Sequence, residues 1–293
     1  MSHEGYCWLC GQWRTLTKEH IPPKSAFNDS PILWHSVDEN SRMIGHLVWS
    51  KEDRESGLTV RSLCGMCNSK CGSKYGSHFV DFIRKVAEQV ENARDEERLI
   101  ISGVRWPLSI VKAVMQSFIS ANGPDFVKAN PWVIKFVRNS RNQQWPHDVG
   151  LYLFATNSKG GRKSGVMASY DFIRRRHAVS SEFVFWPLGA ALFLKGMLSE
   201  SRLTPIHHWV AECPYDYQGA LDVCLWMNPA VKATPLDFRT EEQINKDASQ
   251  QDEPLEATPE TMEQMQKDAM RYGGEMDNKR MMFVTKTVPR IKH

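Results

Sequence analysis

Cys7-Trp8-Leu9-Cys10 and Cys64-Gly65-Met66-Cys67-Asn68 are the two stretches on which the fold of this chain turns. In each, two thiols stand three positions apart, so one tight turn can present both sulfurs to the same ion. Four thiolates wrap one Zn2+ tetrahedrally and leave no open position for water, so the expected zinc is structural. It would tie a turn near the N-terminus to a turn that precedes a helix, with Trp8 and Trp13 packed around it. Between the pairs lies Leu16-Thr17-Lys18-Glu19-His20-Ile21-Pro22-Pro23-Lys24. Proline lacks an amide donor and restricts its predecessor, so Pro22-Pro23 ends any regular element there. Glu19 and His20 just before that break, and Asn68 next to the last thiol, offer donors for a second, catalytic divalent ion.

Periodicity orders the rest of the chain. Phe79, Phe82, Ile83, Val86 and Val90 recur at helical spacing and predict a helix from Ser77 to about Arg98. A second helix is expected over Pro107–Ala121, opened by proline and closed by Asn122-Gly123, and a third near Pro124. The period then changes. Leu151–Ala155 reads as a strand, Asn157–Gly161 as a turn and Gly165–Tyr170 as the strand's hairpin partner. Glu182–Leu188, Ile206–Ala211 and Leu221–Met227 read as further strands. On a strand His207 and His208 would face opposite ways, which makes them structural. After residue 230 the chain is polar, with one helix expected near Glu260–Tyr272.

The chain has 293 residues, 41% of them hydrophobic, enough for a packed core. Its net charge of +3 is unevenly spread, because residues 101–180 carry 12 Lys and Arg against 3 Asp and Glu. A basic block of that size suits a polyanion such as DNA. Arg174-Arg175-Arg176 and the run Lys159–Lys163 are its densest parts, while Lys135, Arg138 and Arg141 follow helical spacing. Seven cysteines, an odd number, with two Cys-x2-Cys pairs fit a reducing compartment better than a disulfide framework. Cys71, Cys213 and Cys224 are left over as buried or free thiols. The first residues lack a signal-peptide pattern and no run is long enough to span a membrane, so a cytoplasmic location and no membrane partner are expected.

Residues 7–80 resemble the HNH endonuclease family, the ββα-metal nucleases, in its branch with two zinc-binding knuckles. The resemblance rests on Cys7-x2-Cys10, Glu19-His20-Ile21-Pro22-Pro23-Lys24, Leu58-Thr59-Val60, Cys64-x2-Cys67-Asn68 and Gly72-Ser73-Lys74-Tyr75-Gly76. It covers about a quarter of the chain. It implies metal-assisted hydrolysis of phosphodiester bonds in DNA, with His20 as general base. Glu19 and Asn68 would then hold Mg2+ or another divalent ion, and Cys7, Cys10, Cys64 and Cys67 the zinc. Lys24, Lys70, Lys74, Arg174, Arg175 and Arg176 are the expected contacts to nucleic acid. Thr59 stands where many members have a central asparagine, and His78 is a nearby substitute ligand. The fold expected is α+β: a zinc-stabilised ββα-metal domain over residues 1–98, a domain of helices then mostly antiparallel strands over 99–230, and a polar tail over 231–293. A protein or ligand regulator could act through the second domain. The alternative is a zinc-stabilised module that binds nucleic acid or protein and no longer cleaves.

Overall fold

The computed structural model describes residues 3–29, 32–37, 49–54, 57–158, 160–171, 176–196, 202–228, 258–274 and 281–285. It is a mixture of helices and antiparallel sheets, as the α+β expectation requires. Three strands make the N-terminal sheet, in the order β1 (Glu4–Tyr6), β2 (Trp13–His20), β5 (Thr59–Cys64). Helix α1 (Gly65–Cys71) leaves directly from the end of β5. It runs through a π-helical turn at Gly72–Gly76 into α2 (Ser77–Asn92), with right-handed helical backbone at Cys71, Gly72, Gly76 and Ser77. The five apolar residues that marked this helix in the sequence are all buried. The helix stops at Asn92, short of the expected Arg98, and Arg98–Val104 forms β6, which pairs with β12 (Leu221–Trp226). The charged run before it hid that strand.

Between β2 and β5 the chain makes a long excursion whose ends are clamped by one side chain. Asn28 is fully buried, and its amide group donates to the carbonyls of Pro22 and Leu58 at 2.8 and 3.0 Å while accepting from the Leu58 N–H at 2.8 Å. Gly57, at φ +72°, passes so close that a Cβ there would lie 2.1 Å from Asn28 Oδ1. The excursion carries β3 (Ile32–Val37) and β4 (Trp49–Arg54), which pair with each other.

These two strands belong to an eight-stranded antiparallel sheet. Its order is β11 (Thr204–Pro205), β7 (Gly150–Ala155), β10 (Leu188–Lys195), β9 (Arg176–Phe185), β8 (Gly160–Asp171), β13 (Met281–Thr285), β3, β4. The expected β7–β8 hairpin does not form; β7 pairs with β10 and β11, and β8 with β9 and β13. Strand β13 comes from the polar tail, where only a helix was expected, and it joins the N-terminal excursion to the body of the sheet. The tail helix lies where expected, as α7 (Pro259–Gly273) below, and its Asp268 takes Lys195 Nζ at 2.6 Å and His177 Nε2 at 2.8 Å. Residues 231–257 lie outside the described residues.

Helix α3 (Pro107–Asn122) runs through the middle, followed by α4 (Pro124–Ala129) and α5 (Pro131–Arg138). Every residue of α3 is buried, the mark of a helix packed on all sides. Its polar side chains find partners. Lys112 Nζ donates to the carbonyls of Phe136, Asn139 and Asn142 at 2.6, 3.0 and 2.8 Å, satisfying the end of α5. The expected strand over Ile206–Ala211 is instead a turn leading into a short helix, α6 (Trp209–Glu212), so His207 and His208 form the turn. Apolar packing is continuous from Cys7 through α2 and α3 to Met227, across the expected domain boundary at residue 98.

Candidate metal centre

The first knuckle is a turn closed by Cys7 N–H to the Gln12 carbonyl at 2.9 Å and Gly11 N–H to the Cys7 carbonyl at 2.8 Å. Gly11, at φ +70°, supplies the left-handed residue that the turn needs. The second knuckle is the junction of β5 and α1: Cys64 ends the strand and Cys67 sits in the first helical turn. The two are joined by the Trp8 N–H to Ser62 carbonyl bond at 2.9 Å and by Cys64 N–H donating to Cys7 Sγ at 3.3 Å. All four sulfurs lie within 4.8 Å of one another, with Cys10 Sγ 4.0 Å from Cys64 Sγ. A tetrahedron with Zn–S bonds of ~2.3 Å has edges of ~3.8 Å, so this quartet fits zinc and is too open for disulfides. Burial, and then the neighbouring Cys7, push the Cys67 thiol above its ordinary value. A divalent cation reverses that preference by stabilising thiolates. Among the described residues this is the one cluster of three or more His, Cys, Asp or Glu side chains able to hold a metal. Trp8 packs beside it, half-buried, but Trp13 does not: it is 59% exposed and edge-on to Tyr6. Of the leftover thiols, Cys71 and Cys213 are buried and Cys224 is exposed.

Glu19 stands on β2 and Asn68 on α1, which leaves from the end of β5. Glu19 points inward from β2 and is 6% exposed. Its Oε1 accepts from Gln116 Nε2 of α3 at 2.7 Å, while its Oε2 is buried with no hydrogen-bond partner. Burial raises its pKa to about 7, against a smaller lowering by Gln116. Two residues back on β2, beyond a break in the β2–β5 register between Thr17 and Lys18, Thr17 Oγ1 accepts from Asn68 Nδ2 at 3.1 Å and donates to the Leu63 carbonyl at 2.9 Å. One amide N–H of Asn68 is thereby engaged. The Asn68 amide oxygen and the orphaned Oε2 of Glu19 are donor types that a hard divalent ion takes. His20 is half-buried at the end of β2, opposite Thr59, and as the chain neighbour of Glu19 it leaves the strand from the other face. His78 is stacked on Trp106 with ring centroids 5.0 Å apart, and its Nδ1 is buried without a partner. Burial lowers its pKa.

The expected nucleic-acid contacts divide. Lys70 and Lys74 line a cleft of about 380 Å³ beside the cysteine quartet, together with Arg14 and Arg138, which sequence reading had not assigned to this place. Arg138 arrives there from α5, a long-range placement that no local pattern reveals. Lys24 is exposed just after Pro23, and Arg176 is exposed at the start of β9. Arg174, Arg175 and Lys159 lie outside the described residues. Arg162 and Lys163 are not surface cations: they are 2% and 7% exposed. Arg162 makes a two-pronged pair with Glu182, itself fully buried, through Nε and Nη2 at 2.8 Å each. No helix among the described residues is long and apolar enough to cross a membrane.

No family model, no curated protein and no solved structure matches this chain.

Proposed function

We propose that the chain is a metal-dependent endonuclease of the HNH type, hydrolysing phosphodiester bonds in DNA. The observation that carries this reading is the buried, unpartnered Oε2 of Glu19, two residues along β2 from the Thr17 that accepts from Asn68. A carboxylate oxygen in that state costs free energy unless a cation or a proton completes it. Support also comes from the order of elements, two antiparallel strands feeding directly into a helix, braced at their junction by four thiols that fit a structural zinc.

In this reading Glu19 and Asn68 hold a divalent ion such as Mg2+, which supplies Lewis-acid stabilisation of charge on the phosphate. His20 takes a proton from the attacking water at one imidazole nitrogen, a role that contributes roughly 10²–10⁴-fold in rate. Lys70 and Lys74 neutralise neighbouring phosphates. Thr59, opposite His20, has no amide to offer the site.

A second reading, a zinc-braced module that binds nucleic acid without cleaving it, is favoured by two specific observations. Gln116 occupies one oxygen of Glu19 deep in the fold, and His20 leaves β2 on the opposite face. Cleavage of supercoiled plasmid with Mg2+ or Mn2+ separates the two, run on wild type, His20→Ala and Glu19→Gln at matched zinc content. The endonuclease reading expects cutting by wild type alone. Retention of DNA with no cutting by any of the three establishes the binding module. Equal cutting by all three refutes the assignment of His20 and Glu19.

A further inference from the structure

Helix α7 is held to the body by polar contacts more than by apolar area. Of its 15 residues only Asp268, Ala269 and Gly273 are buried. Its anchor is a single carboxylate oxygen. Asp268 Oδ2 accepts from Lys195 Nζ of β10 at 2.6 Å and from Gln264 Nε2 of its own helix at 3.1 Å, and lies 2.8 Å from His177 Nε2 of β9. Asp268 is 3% exposed, so these partners are what its charge has in place of water. Taking one away leaves a buried charge uncompensated. A second polar contact, Asn130 Nδ2 to the Tyr272 carbonyl at 2.6 Å, fixes the last turn of the helix beside α4.

After α7 the chain supplies β13, and β13 closes the large sheet. It pairs with β8 on one side and β3 on the other, and β8 and β3 are not neighbours. Without β13 each of them presents an open edge, and the β3–β4 pair has no other partner strand among the described residues. Strand β3 belongs to the excursion that leaves β2 just after Glu19 and His20 and returns just before Thr59. The ends of that excursion are tied by Asn28 to Pro22 and Leu58, and by Ile21 N–H to the Leu58 carbonyl at 3.0 Å. An unbroken series of contacts and chain links thus runs from Lys195 and His177 through Asp268, α7, β13 and β3 to the end of the β2–β5 ladder.

We propose that α7 and β13 form a strap that braces the Glu19–His20 end of the β2–β5 ladder, and that the Asp268 anchor decides whether the strap is closed. With the anchor made, β3 and β4 are held in the eight-stranded sheet and the excursion keeps one path. With the anchor broken, the excursion is tied at Asn28 alone and the ladder end opens locally, at a cost well below that of global unfolding. The strap is then the route by which an event at the C-terminal side reaches Glu19 and His20. That consequence rests on reading those two residues as a functional site, whereas the bracing itself does not.

The test is hydrogen exchange read by mass spectrometry on the zinc-loaded full chain, with no nucleic acid and no added Mg2+ or Mn2+. Because no cleavage enters this readout, failure of the plasmid assay leaves its outcome untouched. Asp268→Asn and Lys195→Gln each break the anchor from one side. Glu263→Gln is the control: it removes the same charge as Asp268→Asn from the same helix, but from the exposed pair with Lys267. Both anchor variants should raise exchange roughly tenfold in α7, β13 and β3, the effect of losing one hydrogen bond to a charged group. Peptides covering Ile21 and Leu58 should follow, while β9 and β10 stay protected and Glu263→Gln changes nothing. Lys195 keeps 38% of its side chain in solvent, so its replacement is the milder of the two and guards against a variant that fails to fold. No rise in either anchor variant, a rise confined to α7, a rise that includes β9 and β10, or an equal rise in Glu263→Gln would each overturn the proposal.

Discussion

The knuckle region and the α3–sheet body share one apolar core but differ in what else they carry. Around the knuckles four sulfurs join Leu9, Leu16 and Leu63: Cys7 and Cys64 are buried at the centre, while β1 and β2 leave Tyr6 and Trp13 in solvent. In the body, β7, β9 and β10 bury most of their residues, and α3 is enclosed on all sides. The first adds a candidate zinc site to its share of the apolar core, and the second rests on apolar area alone. The largest effects therefore come from breaking each in its own way. Cys10→Ser abolishes tight zinc binding, whose worth in a structural site is ~10–16 kcal/mol of apparent free energy. Hydrogen exchange should then rise across residues 3–20 and 57–71 while β7, β9 and β10 stay protected. Leu192→Ala, fully buried in β10, should cost about 4 kcal/mol in urea unfolding with zinc content unchanged. Loss of protection in β9 and β10 on removing the thiol would mean that one cooperative unit has no separable parts.

The same contrast explains what could be read in advance. The knuckles were legible because their spacing is local and the chemistry of thiols is narrow. So were α2, α3 and α7, whose apolar period or opening proline lies within one element. What was missed depends on partners far along the chain. Glu19 meets Gln116 and Arg162 meets Glu182 by sheet and helix placement, so a carboxylate read as a simple ligand is half-claimed, and a cation read as surface is buried. The β7–β8 pairing looked natural from a glycine turn, yet β10 returns to β7 and leaves β8 for β9 and the tail strand. Nothing local in Asn28 announces that it clamps the two ends of the excursion.

At the seam between the regions, Glu19 should make stability depend on pH. Its pKa is raised to about 7 in the folded chain, from a model-peptide value of 4.5. The folded state thus holds this proton more tightly than the unfolded one. Its contribution is fully present below pH 4.5 and is lost as pH rises through 7. The span corresponds to about 3 kcal/mol at 1.36 kcal/mol per pH unit. Urea unfolding at pH 5 and pH 8, without added divalent ion, should show that loss in wild type and not in Glu19→Gln. An identical pH profile in the two proteins would place the carboxylate in a wetter site than its burial implies.

The smallest effect bears most directly on how the two regions are joined. Ser62, on β5 beside the knuckles, and Ser120, on α3, share a hydroxyl–hydroxyl bond of 2.7 Å, and both are buried. Either serine to alanine strands the other hydroxyl in an apolar seam, which should cost about 1–2 kcal/mol. Removing both leaves nothing unsatisfied and should return most of that loss. A double-mutant cycle on Ser62→Ala and Ser120→Ala therefore expects a coupling near 1 kcal/mol. Strict additivity would show that water already reaches the seam, and that apolar contact alone ties the knuckle sheet to α3.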